Sequence, residues 1–167
     1  KTSIDIELLS TMVDTFLEAG FTYFDTAFPY HEQMSEGAMK KALADRHERS
    51  EYIFADKMPT VLVKSADEYP MYFNQQLAKT GVGYFDYYLM HMLTDVASWE
   101  KLCKLGIKDW ITEKKANGQI RNIGFSFHGN TEMFLQILDA YDWDFCQIQY
   151  NYMDETSQAG KKGVASR

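Results

Sequence analysis

Four side chains in this sequence are of types that could together move a proton: Asp25, Tyr30, Lys57 and His91. A phenol is a poor acid at neutral pH, its ordinary pKa lying near ~10, so a tyrosine acting as general acid needs a neighbouring cation to stabilise its phenolate. Lys57 can supply that charge. A lysine in a dry site tends to lose its proton, and a carboxylate such as Asp25 opposes that loss. His91 can donate a hydrogen bond to a carbonyl oxygen and fix its orientation. As a set, the four residues suit a proton-donating site that faces a bound hydride donor.

Each of these residues lies at or just beyond the end of a short apolar run, so the elements carrying them come next. Residues 5–19 place Ile6, Leu9, Val13, Phe16 and Leu17 at helical spacing, with Asp5 and Glu7 at the start and Gly20 as a stop. A strand over residues 21–24 follows and ends on Asp25. A helix from Ser35 directs Ala38, Met39, Ala42 and Leu43 inward, and residues 52–55 form a strand ending on Asp56 and Lys57. Ser65 and Glu68 have capping-box spacing, but Pro70 belongs in a first helical turn and moves the start slightly later. That helix turns Phe73 and Leu77 inward and closes at Gly81. A strand over 84–90 ends on His91. A helical region over 98–116, broken at Gly106, precedes a strand over 120–125 ending on Ser126, a short helix near 131–140, and a strand over 145–150.

The polar strand ends Asp25, Lys57, His91 and Ser126 are separated by 32, 34 and 35 residues, room for one crossover helix each time. Strands apolar on both faces belong to a parallel sheet covered by helices. An open doubly wound sheet is the competing architecture, but no glycine-rich dinucleotide or phosphate-loop motif follows any strand. The expectation is therefore an α/β fold, a parallel (β/α)8 TIM barrel of which about five βα units are present, forming one partial barrel domain over residues 1–167. Such barrels gather their chemistry at the C-terminal strand ends. Because the pattern stops part-way, the sequence reads as a fragment of that barrel, with a polar tail over 154–167 that could begin one more helix.

The segment Phe24-Asp25-Thr26-Ala27-Phe28-Pro29-Tyr30 resembles the D-T-A-x-x-Y signature of the aldo-keto reductase family. The resemblance continues through Lys57 in Ala55-Asp56-Lys57-Met58-Pro59 and His91 in Asp86-Tyr87-Tyr88-Leu89-Met90-His91, and it covers essentially the whole chain. It implies reduction of an aldehyde or ketone with NADPH or NADH. In that scheme Tyr30 is the general acid, Lys57 assists it, Asp25 holds Lys57, and His91 orients the carbonyl. It further implies that Ser126, in Gly124-Phe125-Ser126, and Gln147 hold the nicotinamide carboxamide. The family's usual Ser-Asn pair reads Ser126-Phe127 here, with His128 beside it. Phe127-His128 and the run from Tyr141 to Tyr150 look like the bacterial branch often fused to a ferredoxin-like iron–sulfur module. An iron–sulfur cluster is thus expected only in a longer chain.

Composition is consistent with this reading. A hydrophobic content of 46% suits a chain able to build a core, and a formal net charge of -7 with a pI near 5.0 argues against a nucleic-acid partner. The lysine doublets at 40–41, 114–115 and 161–162 read as solvated helix faces. Cys103 and Cys146 lack metal-ligand or disulfide spacing, and no segment is apolar enough to span a bilayer, so a cytoplasmic protein is expected. The expected partners are a small carbonyl substrate and a second copy associating through exposed sheet edges. Two other functions compete. One is a non-catalytic nicotinamide-binding regulatory or scaffold subunit. The other is a metal-dependent hydrolase using Asp25, His31, His91 and His128; it is disfavoured because Lys57 would set a cation beside the metal, and no metal is expected at the site.

Overall fold

The computed structural model describes residues 3–148. The end of the strand expected over 145–150 and the polar tail lie outside the described residues. Five parallel strands form one sheet in chain order: β1 (Tyr23–Asp25), β2 (Ile53–Met58), β3 (Phe85–Leu93), β4 (Ile120–Phe127) and β5 (Phe145–Ile148). Helices cross over between them: α1 (Ile6–Glu18) before β1, α2 (Ser35–Met39) continuing as a π-helical turn over Lys40–Ala44, α3 (Glu68–Thr80), α4 (Val96–Lys104), α5 (Ile107–Ala116) and α6 (Thr131–Asp139). The result is the expected partial (β/α)8 barrel.

Local sequence accounts for most boundaries. Asp5, Asp95 and Asn130 precede α1, α4 and α6, and each side chain accepts a hydrogen bond from the backbone N–H three residues on, satisfying one free donor of the first turn. Gly106 separates α4 from α5 with φ +83°, a left-handed conformation that suits glycine. The expected capping box at Ser65 is not formed. Instead the Glu68 carboxylate reaches back to the Lys64 N–H at 2.6 Å, and α3 begins at Glu68 with Pro70 in its first turn.

Pairing register divides the strand residues into two faces. Asp25, Ala55, Tyr87 and Asn122 stand side by side, as do Lys57, Leu89, Gly124 and Phe145 one pleat further on. Because side chains alternate along a strand, these residues share the concave face, while Phe54, Met58, Tyr88, Met90, Ile123 and Phe125 point to the helix layer. That layer holds the core: Phe73, Trp99, Leu102, Ile107, Ile111 and Ile137 are buried against those strand residues. Phe73 meets Phe85, Tyr88 and Trp110 edge-on with ring centroids 5.2–5.5 Å apart, an arrangement favoured by the ring quadrupoles. Trp110 and Phe73 thereby tie α5 and α3 to the sheet.

Candidate active site

Lys57 leaves the end of β2 on the concave face and is almost wholly buried, 1% exposed. Its ammonium donates to Asp25 Oδ1 at 2.5 Å and to the Thr26 backbone oxygen at 2.8 Å. A buried ammonium needs such partners, because burial otherwise favours the neutral amine. The buried Thr26 hydroxyl meets the Ser35 hydroxyl at 2.8 Å, which ties the loop after β1 to the start of α2.

Tyr30 lies on that loop, with its ring centroid 4.8 Å from the Lys57 ammonium and 5.8 Å from the His91 ring. It is 38% exposed, so a substrate can reach it. The chain beyond Tyr30 is unusual. His31, Glu32 and Gln33 all have positive φ, at 49°, 55° and 67°, a left-handed turn closed by the Met34 N–H donating to the His31 oxygen at 3.0 Å. Each non-glycine residue there costs roughly 1–2 kcal/mol. The turn bends the chain from Tyr30 directly into α2.

A bulge aims His91. The β3–β4 register shifts between Met90 and Leu93, and Met92 adopts φ +56°. Two side chains hold the bulge by its backbone: the Thr60 hydroxyl donates to the His91 oxygen at 2.5 Å, and the Met92 N–H donates to Ser126 Oγ at 2.9 Å. Bulges re-aim side chains in this way. His91 is buried, and the burial, with smaller contributions from the Lys57 charge and His128, lowers its pKa to about 4. It is therefore a neutral imidazole near pH 7, able to donate from one ring nitrogen without carrying charge.

Ser126 and Gln147 are paired in register across β4 and β5 and so point to the same concave face. The Gln147 side-chain oxygen is buried with no hydrogen-bond partner among the described residues. Gly124 sits one pleat before Ser126. A Cβ there would come within 2.5 Å of the Phe145 backbone oxygen and 2.6 Å of its ring, so only glycine lets β5 approach so closely. Phe145 in turn packs edge-on against Tyr87, centroids 4.9 Å apart.

The structure thus brings Asp25, Tyr30, Lys57 and His91 together and sets Ser126 beside the His91 bulge, with Gln147 its neighbour. Among the described residues, no group of three or more His, Cys, Asp or Glu side chains could hold a metal ion. Clefts of about 410 and 510 Å3, between α2 and the residues before α1 and beside the end of α1, touch none of the four. Asp25, Lys57 and His91 instead face the concave side of the sheet. Thr60 and the left-handed turn went unread in the sequence. A lone Thr after a strand reads as a turn residue, and neither Met92 nor His31 announces a positive φ.

The family model for the aldo/keto reductase family matches residues 1–164. The chain belongs to that family. No curated protein matches it significantly in sequence. Among solved structures, this aldo/keto reductase chain is similar to the holo form of an aldo-keto reductase from Bacillus halodurans, with 24% identity and a TM-score of 0.71, covering 89% of this chain and 50% of that one. An aldo-keto reductase from Brucella melitensis has 22% identity and a TM-score of 0.63 over 87% of this chain and 54% of its own. One from Bombyx mori, in complex with NADP, has 20% identity and a TM-score of 0.62 over 99% and 56%. At these identities the likeness is one of fold. The chain spans about half the length of these structures.

Proposed function

We propose that this chain carries the catalytic half of an NAD(P)H-dependent carbonyl reductase, in which Tyr30 protonates the oxygen of an aldehyde or ketone. The observation that carries this reading is the buried Lys57 ammonium, held by Asp25 at 2.5 Å and set 4.8 Å from the Tyr30 ring. A cation so placed stabilises the phenolate left when Tyr30 gives up its proton. Neutral His91, edge-on to the Tyr30 ring, donates to the same carbonyl oxygen and selects the pose in which Tyr30 can reach it. Asp25 and the Thr26 carbonyl keep the lysine charged and immobile.

For the dinucleotide, the residues present fit one end. The unpartnered Gln147 oxygen can accept from a carboxamide NH2, the Ser126 hydroxyl can still donate after accepting from Met92, and the Gly124–Phe145 contact leaves a flat wall beside them. A reduced nicotinamide bound there supplies the hydride. The protein's own part is to hold the carbonyl oxygen between Tyr30 and His91 and to return a proton to it as charge develops. A small carbonyl compound is the substrate class that such a mouth accepts.

The test is NADPH and NADH oxidation with a panel of aldehydes and ketones, with product analysis. One alcohol formed per cofactor consumed is the expected result. Cofactor binding without turnover, in this chain and in one extended to a full barrel, would favour the nicotinamide-binding scaffold reading.

A further inference from the structure

Behind Lys57, on the helix-facing side of the sheet, lies a polar cluster where an apolar layer is expected. Gln76 of α3 is fully buried, and its side-chain nitrogen stands 3.0 Å from Glu36 Oε1, 2.9 Å from Asp56 Oδ1 and 3.0 Å from the Lys57 backbone oxygen. Its oxygen accepts from the buried Tyr88 hydroxyl at 2.6 Å. The Lys57 N–H donates to Asp56 Oδ1 at 2.8 Å, so the cluster grips the lysine's backbone on both sides. Glu36 and Asp56 are both fully buried, and the second Asp56 oxygen has no partner among the described residues.

Charge counting is decisive here. The groups around Asp56 are Glu36 from α2, Gln76 and Lys79 from α3, Tyr88 from β3, and Lys57 with Asp25 on the concave side; Lys79 lies 3.2 Å from Glu36 Oε2. Three carboxylates therefore face two ammoniums, one negative charge too many, with Glu36, Asp56 and Lys57 buried and only Asp25 and Lys79 partly open to water. A Gln amide has only two N–H groups for the three acceptors around it, so it cannot satisfy two ionised carboxylates and the Lys57 carbonyl together. One added proton removes the excess charge and leaves the Gln76 amide a single ionised carboxylate to satisfy beside the Lys57 carbonyl.

We propose that the buried Glu36–Asp56 pair carries one proton, seated on Asp56, and that this cluster, bridged by Gln76, is a support fixing the Lys57 backbone, making the three side chains positioning residues for the tetrad. The proton resides on Asp56, whose carboxyl, unlike that of Glu36, makes no ion pair among the described residues; burial first, then the Glu36 charge, drive its pKa well above the usual carboxylate range. A fully apolar layer would pack as well, but it would offer nothing to the N–H and C=O of Lys57. The positioning role rests on the reductase reading above, whereas the Asp56 proton does not.

Two variants test the inference. Asp56→Asn reproduces the protonated acid in shape and charge. Relative to the parent, it should gain stability progressively as pH rises from about 4 to neutral, because unfolding then no longer releases the Asp56 proton. A flat difference, or one that runs against the variant as pH rises, would overturn the Asp56 proton. Gln76→Met removes the bridge at similar volume. It should lower kcat at least tenfold with KM within twofold, whereas Tyr30→Phe serves as the control for the chemical step. A Gln76→Met variant with parental kcat, in a protein whose Tyr30→Phe variant is inactive, overturns the positioning role alone. A parent without carbonyl reduction instead overturns the reductase reading and the positioning role with it, and the pH-dependence of Asp56→Asn still decides the proton. If Gln76→Met fails to fold, Gln76→Glu replaces it: a third acid beside Glu36 and Asp56 should unfold the protein more readily as pH rises, and pH-independent stability would count against the cluster.

Discussion

At the scale of single residues, the site depends on charges that burial would otherwise extinguish. Among the described residues Lys57 has Asp25 as its one carboxylate partner, so Asp25→Asn leaves a buried ammonium with only neutral oxygens to accept from it. Removing one member of such a pair costs about 3 kcal/mol. Urea denaturation of the variant should show that loss together with weakened turnover, and an unchanged midpoint would contradict a stabilising Asp25–Lys57 pair. His91 makes a prediction with a sign. Its folded pKa of about 4 lies below the ordinary histidine value of 6.5, so the unfolded chain binds more protons between those values and stability falls as pH drops through them. The full loss is on the order of 3 kcal/mol. His91→Gln should flatten that part of the stability profile, while Asp56→Asn steepens it by removing the opposing proton. These residues were legible in the sequence because a charged or titratable side chain ending an apolar strand is conspicuous. Glu36 and Gln76 were not, since a polar residue on a helix reads as solvent-facing and their meeting spans 40 positions.

At the scale of elements, two backbone devices set the geometry. The bulge at His91 and Met92 is held by Thr60 and Ser126, so Thr60→Val should leave the His91 carbonyl unsatisfied at a cost of about 1–3 kcal/mol and reduce turnover, with Thr60→Ser restoring both. Parental turnover in Thr60→Val would show that His91 is placed by its ring contacts alone. Gly124 is the second device. Adding one methyl forces β5 away from β4, and Gly124→Ala should lower Tm by several degrees in a thermal melt. Periodicity and strand spacing revealed the five described strands and the α-helices to within a few residues, because the strands are bulky on both faces and the helices turn apolar residues inward, whereas the short 3-10 helix over Arg49–Glu51 carries no such pattern. The bulge escaped that reading because no glycine marks it: Met92 adopts its positive φ under tertiary hydrogen bonds that sequence spacing does not display.

At the scale of the molecule, β1 and β5 are the edges of the described sheet, and apolar side chains lie exposed near both: Leu8, Met12, Phe16 and Phe21 by the first, Met133, Leu135 and Leu138 on α6 by the second. Unpaired strand edges beside apolar surface favour association. Light scattering on the 167-residue chain should therefore show self-association that a version extended to the length of its structural relatives lacks; a monomer at high concentration would contradict this. The extended version should also bind NADPH more tightly, since remote contacts along a dinucleotide help to position its reacting end. The proposed role of Tyr30, assisted by Lys57, as the acid of a carbonyl reduction is decided by one paired measurement: turnover and NADPH affinity of the extended protein with Tyr30 and with Tyr30→Phe. Loss of the phenol proton should reduce turnover by about 10²–10⁴-fold with affinity essentially unchanged. Equal turnover in the two proteins would contradict that role.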